Sequence, residues 1–153
     1  KRITYWPQLF LGITFNWGIV MAWAAVNNDI SIEIAVLYLS AIFWTLGYDT
    51  IYGAQDISDD EIIGLKSTSI KFKKNINLFV AIMYLISTLL ICYLFKNEIG
   101  YNFFTLLLTL FISSLIFQVL KFDKEKKKSC LKMFKTNNLS GLIFFLCILS
   151  LNN

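Results

Sequence analysis

No histidine occurs in the 153 residues. That removes imidazole general bases, Ser-His-Asp triads and histidine metal sites. Cysteine is sparse. Cys92, Cys130 and Cys147 lie far apart with no C-x-x-C spacing, which leaves neither a zinc knuckle nor a redox pair. Cys92 and Cys147 fall in apolar runs, where packing accounts for them. Proline appears once, at Pro7, and glycine seven times, so the apolar runs are mostly unbroken. Charge is scarce too: 16% of residues, against about 25% in an ordinary soluble domain. No signal-peptide pattern opens the chain, which starts at Lys1. The expectation is a processed start or the C-terminal part of a longer protein.

What is present is apolar side chain. Hydrophobic residues make up 57% of the sequence, 16% are aromatic, and the mean hydropathy is +0.63. A soluble domain is about 45–50% apolar. A chain this short cannot hide such an excess inside a globule. The same apolar excess and low charge content exclude a basic nucleic-acid-binding domain, and no nucleic acid is expected as a partner. A disordered tail is excluded by the same numbers. The reading is an all-α, polytopic transmembrane helical bundle whose first partner is the lipid bilayer.

Five apolar stretches approach the roughly 20 residues needed to cross a bilayer. They run from about Gln8 to Val26, Ile34 to Gln55, Ile76 to Phe95, Tyr101 to Leu120 and Leu139 to Leu151, the last being short. Pro7 stands where the first helix begins, its favoured place. No short segments alternate with period two, which disfavours a transmembrane β-barrel. The loops alternate in charge. The amino end, the segment Asp56 to Asn75 and the segment Lys121 to Asn138 together hold thirteen of the fourteen basic residues. Alternating topology puts these three on one side, and the positive-inside rule makes that side cytoplasmic. The Lys121–Lys135 run serves as a topology signal and a contact for anionic headgroups.

Half of the ten acids fall in one window, YDTIYGAQDISDDEIIGLKSTSIKF, from Tyr48 to Phe72. Asp49 lies inside the second apolar run. An acid at the bilayer centre costs about 2.5–3.5 kcal/mol on insertion scales, which marks it as a functional candidate. Asp49, Tyr52, Asp56 and Asp59 or Asp60 recur at steps of three and four, so on one continuous helix they share a face. A ladder of ionised carboxylates needs a cation. With oxygen ligands alone, the natural choice is Mg²⁺, which binds through one or two carboxylates plus substrate phosphate oxygens. An EF-hand is excluded, because the D-x-[DN]-x-[DN]-G pattern fails after Asp56. Lys66, just past the acids, would neutralise the same phosphate as a point charge. Trp44, Tyr48 and Tyr52 lie on or near the same helix. Their faces suit a neighbouring carbocation, and packing or interfacial anchoring suits them equally.

The window YDTIYGAQDISDDEIIGLKSTSI resembles the second aspartate-rich motif of UbiA-type membrane prenyltransferases, specifically the 4-hydroxybenzoate polyprenyltransferases. KRITYWPQLFLGITFNWGIVMAWAA resembles the KRxTxxPQ helix that precedes it, and FQVLKFDKEKKKSCLKMFKTNNLSGL resembles the YQ…CF…NNxxGL segment. The three blocks come in the family's order and span nearly the whole chain. The resemblance implies transfer of a polyprenyl group from polyprenyl diphosphate to the ring of 4-hydroxybenzoate, in ubiquinone biosynthesis. It also implies a helical bundle in a bacterial inner membrane, with about five of about nine spanning helices present here.

Residue by residue, the resemblance makes Asp56 and Asp60 the two acids of D-x-x-x-D, binding Mg²⁺-diphosphate, with Asp59 in the same metal cluster. Asp49 and Tyr52 match the YDTxY element lining the cavity, Asp49 being a candidate for the ring proton. Lys66 matches the lysine that contacts diphosphate. Arg2 matches an arginine suited to the substrate carboxylate, which its fork pairs with through two hydrogen bonds. Departures are plain. Ser58 stands where many relatives have an acid, Ile57 where arginine is common, and the family's N-D-x-x-D-R motif is absent. Residues 1–153 are therefore expected to be the C-terminal half of such an enzyme, inactive alone. Rival readings are another member of the superfamily, making menaquinone, haem O, chlorophyll or a lipid ether, and a non-catalytic membrane subunit.

Overall fold

The computed structural model describes residues 2–152, all but the side chain of the last. Lys1, the first residue of the KRxT element, lies outside them, as does Asn153. Among the described residues every regular element is a helix. The first span is built of α1 (Pro7–Phe15) and α2 (Trp17–Asn27), with Pro7 in the first turn of α1. The chain then enters α3 (Ile32–Ala54), capped by Ser31, whose hydroxyl accepts from the Ile34 N–H. Two short helices follow, α4 (Ile57–Ile62) and α5 (Thr68–Lys71), then α6 (Ile76–Leu94), α7 (Phe103–Lys121) and α8 (Lys127–Leu149). Asn102 caps α7 by accepting from the Thr105 N–H at 2.8 Å.

Four helical segments are long and apolar enough to cross a membrane: Pro7–Asn27, Ile32–Ala54, Lys73–Leu94 and Phe103–Lys121. The first four expected stretches agree with these to within three residues. The fifth does not behave as expected. Its helix begins twelve residues early, at Lys127, and falls short of a membrane span by composition. Its apolar part, Leu139–Leu149, is about 16 Å long at 1.5 Å per residue, half of a ~30 Å hydrocarbon core. The lysine-bearing turns of α8 precede this apolar part, and Asn137, just before it, already lies alongside Trp44, midway along α3.

The core lies between α3, α6, α7 and α8, around Ile51, Val80, Ile91, Phe111 and Leu115. In a lipid environment the outer faces need not be polar, and many large apolar side chains there are exposed. Gly47 lets α6 approach α3, since a Cβ there would collide with the Tyr84 ring. Polar side chains join the inner faces. The Tyr84 hydroxyl donates to Gln118 Oε1 at 2.8 Å, and Gln118 Nε2 donates to Ser140 Oγ at 2.9 Å, tying α6 to α7 and α7 to α8. Asn16, at the break between α1 and α2, donates to Thr45 Oγ1 at 2.8 Å and fastens the first span to α3.

Candidate functional site

The amino end, the 56–75 segment and the 122–127 segment meet at one end of the bundle, as alternating topology requires. Lys71 Nζ sits 4.4 Å from the centre of the Trp6 ring, and Lys124 Nζ donates to the Lys73 carbonyl at 2.9 Å. The acidic window lies at this end. Asp49 is half-buried on α3, five residues before Ala54 and so about 8 Å from the end of the helix. It lies within the candidate span Ile32–Ala54, in the half nearer the acidic window.

The carboxylates do not form a ladder on one helix. α3 stops at Ala54, the chain turns through Gln55 and Asp56, and Asp59 and Asp60 ride on the separate helix α4. Two features end α3 there. The Gln55 and Asp56 N–H groups bond three residues back, to Tyr52 and Gly53, tightening the last turn. The 67–69 segment also packs onto Gly53, where a Cβ would lie 2.7 Å from Ser69 Oγ. Asp49 and Tyr52 are thereby separated from the other acids by a corner. Asp56 and Asp60 are still one helical turn apart, with the Asp60 N–H donating to the Asp56 carbonyl at 2.8 Å. Asp60 is buried and Asp56 half-buried.

Asp59 goes elsewhere. It is exposed, and its Oδ2 accepts from Lys127 Nζ at 2.8 Å. The hydrogen bond and charge of Lys127 hold the Asp59 carboxyl below the usual range, and Asp59 in turn raises the Lys127 ammonium. On the other side of α4, Lys73 grips both oxygens of Glu61 at 2.8 and 3.1 Å. The short helix is held between two lysines from different segments.

Lys66 is half-buried, with Nζ 5.5 Å from the centre of the Tyr5 ring. The three residues after it are fully buried and anchored. The Thr68 N–H donates to Gln8 Oε1 at 3.0 Å, Thr68 and Thr50 hydroxyls share a 2.7 Å hydrogen bond, and Ser69 Oγ donates to the Thr50 carbonyl at 2.8 Å. The PQ element, the YDTxYG element and the KSTS element are thus three sides of one polar joint. Arg2 lies exposed at the amino end.

The aromatic residues divide. Trp44 is packed edge-on against Phe111 and Phe144, and its Nε1 donates to Asn137 Oδ1 at 2.8 Å, which ties α3 to α8. Tyr52 has 40% of its surface exposed, next to Phe134 of α8 at 4.7 Å between ring centres, and Phe134 also touches Tyr48 at 6.0 Å. Phe134, Gln8, Lys127 and Asn137 were not among the expected site residues. A polar residue at the start of an apolar run was the available signal for Gln8, and nothing in the hydropathy pattern marks Asn137, Phe134 or Lys127.

Among the described residues no three Asp, Glu or Cys side chains converge as a metal-holding group. A Mg²⁺ ion does not need such a cage, because it is commonly held by one or two carboxylates with substrate phosphate and water. The Asp56–Asp60 pair, all-oxygen and one turn apart, fits that mode.

The profile of the UbiA prenyltransferase family matches residues 1–148. The chain belongs to the UbiA prenyltransferase family. It is similar to the mitochondrial 4-hydroxybenzoate polyprenyltransferases of Bos taurus (39% identity, 97% of this chain and 40% of the bovine protein) and Dictyostelium discoideum (39% identity, 97% and 32%). That of Arabidopsis thaliana is 37% identical over 95% of this chain and 36% of its own length. The chain therefore spans 32–40% of the length of these relatives. No solved structure matches it. Within the UbiA family fold, α3, α4 and α5 are the elements that carry the acidic window and Lys66.

Proposed function

We propose that this UbiA-family chain contributes the Asp56/Asp60 half of a site that transfers a polyprenyl group from polyprenyl diphosphate to the ring of 4-hydroxybenzoate. The similarity to 4-hydroxybenzoate polyprenyltransferases over nearly the whole chain supports the substrates. The observation that carries the reading is the gathering of the Asp56–Asp60 turn and the anchored Lys66 segment at one end of an apolar bundle. Residues 1–153 are read as the C-terminal half of a larger catalytic bundle, inactive by itself. The rest of the active site, a second acidic motif included, comes from outside them.

Asp56 and Asp60 would hold Mg²⁺, with Asp59 joining only if it gives up Lys127. When bound, Mg²⁺ supplies positive charge against the charge growing on the leaving diphosphate. Lys66 adds a second positive charge to the same group, from a backbone fixed by Gln8, Thr50 and Ser69. The allylic carbon–oxygen bond breaks, and the electron pair leaves with the diphosphate. Tyr52 and Phe134 offer ring faces to the allylic cation and help to exclude water. The ring carbon beside the phenol oxygen attacks, and its proton passes to a carboxylate, for which Asp49 is the candidate. Arg2 pairs with the carboxylate of the acceptor.

The relatives are mitochondrial by name, which favours a mitochondrial membrane over the bacterial inner membrane expected from the sequence alone. The end bearing the acids, Lys66 and the lysine-rich segment would face the inner side, where the positive-inside rule puts lysine-rich loops.

The test is prenylation of radiolabelled 4-hydroxybenzoate by the full-length protein in membranes, with and without Mg²⁺. Asp56→Ala and Asp60→Ala are expected to abolish product while the protein stays folded in the membrane. Full activity in both variants would overturn the catalytic reading and favour a non-catalytic subunit. Product with a different aromatic or glycerol acceptor, and none with 4-hydroxybenzoate, would move the chain elsewhere in the superfamily.

A further inference from the structure

The lysines of the α7–α8 region fall into two groups. Lys124, Lys126 and Lys127 each lie against a carboxylate, of Glu125, Asp123 and Asp59 respectively. Lys128, Lys132 and Lys135 make no ion pair among the described residues, and all three are exposed. They sit at steps of four and three on α8. The same alternation continues without a break through Leu139, Leu142, Leu146 and Leu149, which are 44–55% exposed. Seven residues at helical 4-3-4-3-4-3 spacing line one face. The first three are cationic and the last four are leucine. The opposite face, with Phe134, Asn137 and Ser140, packs on α3 and α7.

We propose that this outer face of α8 binds one anionic glycerophospholipid, its phosphate on Lys128, Lys132 and Lys135 and an acyl chain along the leucines. The face changes character once, between Lys135 and Leu139, as a phospholipid does between headgroup and tail. Leu139 to Leu149 carries the apolar face for about 15 Å along the axis, from one turn past Lys135 to beyond the level of Phe144, which packs on Trp44 and Phe111 midway along α3 and α7. A shallow groove of about 440 Å³, lined by Lys128, Leu131, Lys132, Lys135 and Thr136, opens at the lysine end. A second copy of the chain is a poor occupant. Both copies have one orientation in the membrane, so their lysines would meet each other. The proposal does not depend on the chemistry at Asp56 and Asp60.

The experiment is native mass spectrometry of the delipidated full-length protein with palmitoyl-oleoyl phosphatidylglycerol or phosphatidylcholine. Preferential retention of phosphatidylglycerol is expected. The preference should fall about tenfold or more in K128Q/K132Q/K135Q and persist in the charge-matched K74Q/K96Q/K121Q and in K128R/K132R/K135R. Leu139→Ser with Leu142→Ser should also weaken retention, whereas millimolar inorganic phosphate should not displace the lipid. Equal losses in the two glutamine triples would show diffuse surface charge and overturn the site. Displacement by inorganic phosphate, with the serine variant unaffected, would overturn the lipid as ligand. A photocrosslinker at position 142 should label lipid; labelling a protein chain instead would assign the face to a partner helix and overturn the proposal.

Discussion

Gln8 and Thr68, sixty residues apart, meet where the Thr68 N–H donates to Gln8 Oε1 at 3.0 Å, both residues buried. This bond fastens the start of the first span to the segment that carries Lys66. Gln8→Leu should leave the Thr68 N–H without a partner, at a cost of about 1–3 kcal/mol. Gln8→Glu keeps an acceptor and should cost less. Thermal unfolding in detergent separates the two. If the joint positions Lys66, Gln8→Leu should also raise KM for the diphosphate more than Gln8→Glu does.

Gly53 tests the corner between α3 and α4. A Cβ there would lie 2.7 Å from Ser69 Oγ and 3.2 Å from Gln8 Nε2. Gly53→Ala is expected to destabilise by about 1–3 kcal/mol through overpacking. Ser69→Ala removes the nearer atom, so the double variant should be more stable than the sum of the singles predicts. Strict additivity in unfolding experiments would show that Ser69 is not what crowds the site.

Gly47 and Tyr84 make a similar pair inside the bilayer, with different logic. Gly47→Ala drives a methyl into the Tyr84 ring. Tyr84→Phe keeps the ring and should not rescue it, whereas Tyr84→Leu should. Tyr84→Phe alone removes the hydrogen bond to Gln118 and should cost on the order of 0.6–1.7 kcal/mol, the range for bonds between membrane helices. Steric-trap unfolding in bicelles measures both effects.

The Asp59–Lys127 pair predicts a pH dependence confined to the extremes. Asp59 titrates below its ordinary value, so its contribution is present above about pH 4 and is lost as pH falls through the lowered value. Lys127 titrates above its ordinary value, so its contribution is present below about pH 10 and is lost as pH rises through the raised value. Between these limits the contact of α4 with α8 should be insensitive to pH and, being exposed, sensitive to salt. Intrinsic-rate-corrected hydrogen exchange of residues 57–62 should be flat from pH 6 to 8 and faster at high salt. Asp59→Asn should reduce the salt effect to the part carried by the Lys73–Glu61 pair on the same helix.

The two neighbouring acids should also differ in the prenylation assay. Asp60→Asn removes a proposed metal ligand and should lower kcat/KM by two orders of magnitude or more, about 2.7 kcal/mol or above. Asp59→Asn should lower it much less, because Lys127 already engages that carboxylate. Equal losses would return Asp59 to the metal on the same footing as Asp60.

Composition and local pattern alone determined that the chain is a helical membrane bundle, where four of its spans lie, and that half of its acids and Lys66 share one short window. These properties are legible because each depends on local physics: a run of about 20 apolar residues must satisfy its own backbone, and lysines sort to one side of a bilayer. Tertiary contacts decided the rest. The step of three and four from Asp49 to Asp60 suggests one helical face, but the packing of Ser69 on Gly53 breaks the helix at Ala54 and puts Asp59 and Asp60 on a new axis. Asp59 pairs with Lys127, sixty-eight residues away, and no spacing rule reaches that far. The extension of α8 back to Lys127 likewise escapes a hydropathy reading, because a helix that leaves the membrane keeps its backbone bonds while its side chains turn polar. Hydropathy registers where a chain sits in the bilayer. Which side chains meet across helices depends on close packing among segments that share no sequence neighbourhood.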